Sequence, residues 1–112
     1  MGGRLQKVLL EEIQAKVKER DYRFTLHAGD RMIERHISVS EVEEALVSRS
    51  VEVIEDYPDD PRSPSCLIFG MTRGGRLLHI QCTYPPNVAV VTAYEPKSEE
   101  WMDWRIRKGG KP

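Results

Sequence analysis

Pro64–Pro96 reads PSCLIFGMTRGGRLLHIQCTYPPNVAVVTAYEP. Three apolar runs, near 65–72, 76–84 and 87–95, are cut by Gly74-Gly75 and by Pro85-Pro86-Asn87. Glycine supplies left-handed backbone and proline a fixed φ, so both cuts read as turns. Short runs of this kind, joined by tight turns, predict three consecutive antiparallel strands. Side chains alternate along a strand, so each turn also sets a register. Pairing Thr72 with Arg76 puts Cys66 opposite Cys82 and Ile68 opposite Ile80. Pairing Tyr84 with Asn87 puts His79 opposite Thr92 and Leu78 opposite Ala93. One face then collects Cys66, Ile68, Leu78, Ile80, Cys82, Ala89, Val91 and Ala93, an apolar surface expected to pack on helices. The other collects Leu67, Phe69, Met71, Leu77, His79, Gln81, Val90, Thr92 and Tyr94. Polar groups set among large apolar ones suit an open ligand cleft.

Upstream of this meander the pattern changes to a helical period. Leu5, Leu9, Ile13 and Val17 stand four apart, an apolar stripe on a helix of about four turns. Tyr22-Arg23-Phe24-Thr25 alternates as a short strand. A second helix is expected from about His27 to His36, with Leu26, Ala28, Gly29, Met32 and Ile33 on its apolar half. Ser38-Val39-Ser40-Glu41 is a capping box, with Ile37 and Val42 at the staple positions, and starts a third helix from Val39 to about Ser48. That helix should bury Val42, Ala45 and Leu46. Val51–Glu55 alternates as a further strand, and Tyr57–Pro64, with three prolines, is a loop. Ser98–Pro112 is expected to give one helical turn around Trp101 and a partly flexible basic tail. The whole, 1–112, is one α+β domain with N-terminal helices packed on one face of an antiparallel sheet.

Composition narrows the function classes. The chain has 112 residues, 31% of them charged, and a net charge of −1. Residues 37–64 carry two Lys/Arg against eight Asp/Glu, while residues 1–36 carry eight against six. A global basic footprint for nucleic acid is therefore missing, although a local anion site is compatible with this distribution. No apolar run is long enough for a membrane span, and Met1–Leu5 leads into a charged segment without a signal-peptide core, so a cytoplasmic location is the expectation. Cys66 and Cys82 read either as two core thiols or as a cross-strand redox pair. No C-x-x-C or H-x-x-x-H spacing supports a metal site, and no cofactor motif is present.

Two groups of residues point to chemistry. His27, Arg31 and Arg35 stand four apart along one strip of the second helix, where two guanidiniums can clamp a phosphate or carboxylate. His27 near a helix N-terminus and beside Arg31 is expected to favour the neutral imidazole of a general base. A solvated face whose arginines pair with Asp30 and Glu34 is the plainer reading of the same strip. His79, beside Thr92 and Tyr94 on the polar sheet face, reads either as a hydrogen-bonded structural histidine or as a catalytic one.

The ordered motifs are H-A-x-x-R-M-x-E-R (His27–Arg35), I-S-x-x-E-V (Ile37–Val42), E-D-Y-P-D-D (Glu55–Asp60), P-S-C-L (Pro64–Leu67), G-R-x-L-H-I (Gly75–Ile80) and V-T-A-Y-E-P (Val91–Pro96), followed by Trp101. Together they resemble a family of small, uncharacterised bacterial proteins placed near the RelE and BrnT toxins of type II toxin–antitoxin systems. The resemblance implies a RelE-like fold with a curved sheet and a metal-independent endoribonuclease acting on mRNA through the open sheet face. It implies His27, His79 and Tyr94 as catalytic groups, and Arg31, Arg35, Gln81 and Thr92 as substrate-binding ones. It further implies a small antitoxin of zinc-finger type and RNA as partners, and no cofactor; a homodimer stays open, as does a non-catalytic binding module of the same fold. The chain departs from basic ribonucleases in its pI of about 6.3, and carries His36 where glycine is common in the family motif.

Overall fold

A computed structural model describes residues 2–108. Helices α1 (Gly2–Lys18), α2 (Leu26–Glu34) and α3 (Val39–Leu46) accompany strands β1 (Arg23–Phe24), β2 (Glu52–Tyr57), β3 (Ser65–Met71), β4 (Leu77–Thr83), β5 (Ala89–Tyr94), β6 (Trp101–Met102) and β7 (Ile106–Arg107). Five strands form one sheet in the order β1-β5-β4-β3-β2. All pairs are antiparallel except β1, which runs parallel to β5 with Arg23 beside Ala89 and Phe24 beside Val90. The α+β architecture is the expected one; the parallel edge strand is an addition to the meander.

The Gly74-Gly75 turn delivers the first hairpin in the expected register. Gly75 takes φ 90°, and Cys66 faces Cys82 while Ile68 faces Ile80. Both cysteines are buried free thiols on the helix-covered face. Burial raises the pKa of each, Cys66 to about 12.

The second hairpin corrects the expected register. His79 lies opposite Tyr94, not Thr92, and Gln81 lies opposite Thr92. The register shifts between Gln81 and Cys82, so Val91 is an extra residue on β5. Beside the turn, the Thr83 hydroxyl donates to the Asn87 carbonyl (2.8 Å) and accepts from the Ala89 N–H (2.8 Å). A side chain thus does the work of ladder bonds there. Past the bulge the faces exchange: Val88 and Val90 enter the helix-covered core, whereas Ala89 and Val91, expected there, do not.

That core joins Ile13 and Val17 of α1, Val42, Ala45 and Leu46 of α3, and Cys66, Ile68, Leu78, Ile80, Val90 and Ala93 of the sheet. The side chain of Leu5, the first residue of the expected α1 stripe, lies outside the described residues. Capping box and staple are as expected: the Ser38 hydroxyl accepts from Glu41 N–H, the Glu41 carboxylate accepts from Ser38 N–H, and Ile37 and Val42 are buried. α3 sits so close to the sheet that a Cβ on Gly70 would come within 2.1 Å of the Ala45 carbonyl oxygen. Only glycine fits at that crossing.

α2 packs mainly on β5. Its inward face is narrower than the sequence suggested, because it lies on one strand beyond the short β1 rather than over a broad sheet. Ala28 and Met32 are buried, but Leu26 is 90% and Ile33 75% exposed. The helix ends at Arg35, and His36 takes φ 55°, the left-handed position where glycine is strain-free. Arg76 fastens this end: its guanidinium donates to the carbonyls of Arg35 (3.0 Å) and His36 (2.7 Å) and pairs with Glu41 and Glu95.

The C-terminal expectation is overturned. Instead of a helical turn and a flexible tail, residues 101–107 form the β6–β7 hairpin; residues 109–112 lie outside the described part. Sequence pattern missed it because its turn, Asp103-Trp104, contains no glycine although both residues have positive φ.

Two variants test these features. Gly70→Ala should cost about 3 kcal/mol and lower the melting temperature by on the order of 10 °C in a thermal melt. His36→Gly should raise stability by about 1 kcal/mol in urea unfolding; a loss would contradict the strained C-terminal position.

Candidate functional site

The second sheet face is organised as rows across the strands. Glu52 pairs with Phe69, Phe69 with His79, and His79 with Tyr94, so these four side chains form one line. The next row runs Glu55, Leu67, Gln81, Thr92. Acidic groups therefore stand at the β2 end and hydroxyl groups at the β5 end, with apolar and imidazole groups between.

This face is not open, contrary to expectation. The β6–β7 hairpin lies over it and, with the sheet, encloses a second small core of Leu67, Phe69, His79 and Trp101 apart from the helix-covered one. Trp101 meets the His79 ring edge-on at 4.4 Å between centroids. Arg105 pairs with Glu52 at 2.7 Å and stacks over Phe69, its Cζ 5.0 Å from the ring centre. Arg107 pairs with Glu55 at 2.9 Å and stacks over Trp101 at 4.6 Å. Such cation–aromatic stacking adds to the ion pairs because the guanidinium is planar and weakly hydrated. Burial pushes the Glu55 carboxyl up, but its hydrogen bonds from Arg107 and Tyr57 outweigh this and hold it below the usual carboxylate range.

His79 is fully buried. Its Nε2 lies 2.7 Å from the Trp104 carbonyl oxygen, which can only accept, so Nε2 carries the proton. Nδ1 then accepts from the Tyr94 hydroxyl at 3.3 Å. Both ring nitrogens are engaged and the neutral tautomer is the satisfied one. Burial lowers the pKa, opposed by the Trp104 hydrogen bond and the Glu55 charge. Of the two sequence readings, the hydrogen-bonded structural histidine describes this closed arrangement.

Tyr94 and Arg35 do come together. Arg35 donates to the Ala93 carbonyl (2.9 Å), lies 3.4 Å from the Thr92 hydroxyl, and places its Cζ 6.0 Å from the Tyr94 ring centre. They border a cleft of about 610 Å³ lined by Arg35, Tyr94, Glu95, Lys97, Glu100, Trp101 and Arg107. Burial raises the Tyr94 pKa, so its hydroxyl keeps its proton at neutral pH. Lys97, Glu100 and Arg107 escaped the sequence reading because the hairpin that presents them did; the alternation Arg105-Ile106-Arg107 was the available signal.

The rest of the expected constellation is dispersed. His27 is exposed and is not among the residues lining this cleft. Arg31 pairs with Glu34 at 2.8 Å, the solvated-face reading, and does not act with Arg35 as a clamp. Gln81 donates to the Ser65 hydroxyl (3.0 Å) and lines a separate cavity of about 190 Å³ under the proline loop. Among the described residues, no three His, Cys, Asp or Glu side chains converge as a metal-ligand set, and no helix is long and apolar enough to cross a membrane.

The buried imidazole has a measurable consequence. Its folded pKa lies below the unfolded value near 6.5, so the unfolded chain binds more protons as pH falls. Stability contributed by neutral His79 is present above pH about 6.5 and is lost as pH drops towards the folded pKa. Urea unfolding between pH 7.5 and 5 should show this loss, and His79→Gln should flatten it; an unchanged slope would contradict the buried neutral state.

No curated protein and no solved structure matches the chain. A family model described as Domain of unknown function (DUF4258) matches residues 24–95, from β1 to the end of β5, and the chain belongs to that family.

Proposed function

We propose that the protein is a type II toxin-like endoribonuclease of RelE-like fold, related to the RelE and BrnT toxins, with the Tyr94 cleft as its phosphodiester site. One observation carries the reading: three cationic side chains, Arg35, Lys97 and Arg107, border one cleft with a protonated phenol. Cleavage of RNA by its own 2′-hydroxyl asks for these parts and for a base. Glu95 is held by Arg76, which leaves the Glu100 carboxylate to take the 2′-hydroxyl proton. The 2′-oxygen attacks phosphorus, the three cations balance the charge on the equatorial oxygens, and Tyr94 gives its proton to the departing 5′-oxygen. The products are a 2′,3′-cyclic phosphate and a 5′-hydroxyl. The cationic cluster is local, which reconciles anion binding with a pI of about 6.3. An mRNA substrate and a small antitoxin of zinc-finger type as neutralising partner belong to the same proposal, as does action in the cytoplasm.

A second reading, a non-catalytic protein-binding module, is favoured by the sealing of His79, whose nitrogens are both occupied. Induced expression separates the two. The ribonuclease reading expects growth arrest, RNA products ending in cyclic phosphate, and a loss of rate of about 10²-fold in Tyr94→Phe, with Arg35→Ala also relieving the arrest. Folded, purified protein that neither arrests growth nor cleaves RNA would leave the module.

A further inference from the structure

The β6–β7 hairpin differs from every other element in how it is attached. Its backbone hydrogen bonds close on its own segment: Trp101 pairs with Arg107, Met102 with Ile106, and the Lys108 N–H donates to the Glu100 carbonyl at 2.7 Å. Among the described residues, it joins the five-stranded sheet through side chains alone. These are the Arg105–Glu52 and Arg107–Glu55 pairs, the rings of Phe69, His79 and Trp101, and the His79 bond to the Trp104 carbonyl. Both ion pairs are partly solvated and therefore weakened by salt.

Its turn is strained as well. Asp103 and Trp104 have φ 53° and 61°. Asp tolerates the left-handed region, but a residue as bulky as Trp is rarely found there and persists only where its surroundings hold it. The holding contact is the His79 Nε2–H, aimed at the Trp104 carbonyl. What lies beneath, Leu67, Phe69 and His79, is separated by the sheet from the core under the helices, except that Leu67 and Phe69 sit on strands it shares. Lifting the hairpin would leave that core intact.

We propose that β6–β7 is a strap that opens as a unit while the five-stranded sheet stays folded, and that His79 meets solvent only through this opening. The strap rests on packing and attachment, and stands or falls separately from what the cleft binds. It gives one row of the sheet two alternative surfaces. With the strap shut, Trp101 and Arg107 complete the cleft beside Tyr94 and the imidazole is sealed. With it lifted, Arg107 leaves and His79 stands uncovered next to Tyr94. Trp101, the apolar anchor, makes the shut form the dominant one.

Diethyl pyrocarbonate, which acylates neutral imidazole, reads the opening site by site by mass spectrometry of the full chain. His27 and His36, both exposed, serve as internal references. His79 should react more than about tenfold slower than either, yet faster than β3 and β4 amides exchange their hydrogens, since those need the sheet to open. Raising NaCl from about 0.1 M to 1 M should speed His79 alone. The Arg105→Ala, Arg107→Ala double variant should speed it about tenfold with β3 and β4 protection unchanged. A His79 rate equal to that of sheet opening, insensitive to salt in the wild-type chain, would overturn the strap whether or not the variant folds.

Discussion

The two central strands carry large apolar side chains on both faces, and the rest of the molecule answers that demand. Ile68, Leu78 and Ile80 point one way and Leu67 and Phe69 the other, and all five are buried. A sheet one strand thick cannot hide both sets from water, so each face needs its own cover. α1 and α3 cover the first, with Gly70 letting α3 settle directly on the strand. On the second face, 13 residues past the family match that ends at 95 complete the described chain, and the hairpin within them is the cover.

Legibility followed turn chemistry. The β3–β4 register was readable because Gly74-Gly75 allows one tight closure, and the α3 boundary because a capping box names its own partners. The β4–β5 register was not, since Val91 is an ordinary strand residue and nothing in the pattern marks it as the extra one. The same bulge moved the pair of Thr92 from His79 to Gln81, which is why the expected His79–Thr92 grouping dissolved while His79–Tyr94 formed. Leu26 and Ile33 were misread because helical periodicity reports that a face is apolar and says nothing of how wide a surface it will meet.

Charge tells a parallel story. The acidic middle of the chain supplies Glu52 and Glu55 on β2, and the basic C-terminal segment supplies Arg105 and Arg107. Blocks of opposite sign that cancel in the net charge are thus brought into register by the fold. Arg76 does the same inside the helical layer, where one guanidinium serves the end of α2, the start of α3 and Glu95. The candidate cleft lies where these two networks come closest, between Glu95 and Arg107.

Cys66 and Cys82 face each other at the centre of the sheet, buried, with burial holding both as thiols rather than thiolates. The thiolate is the reactive form, so neither sulfur responds to an alkylating reagent until β3 and β4 part. The chain therefore carries a built-in clock for its own complete unfolding, wound into the strands that part last and silent to any motion at the surface.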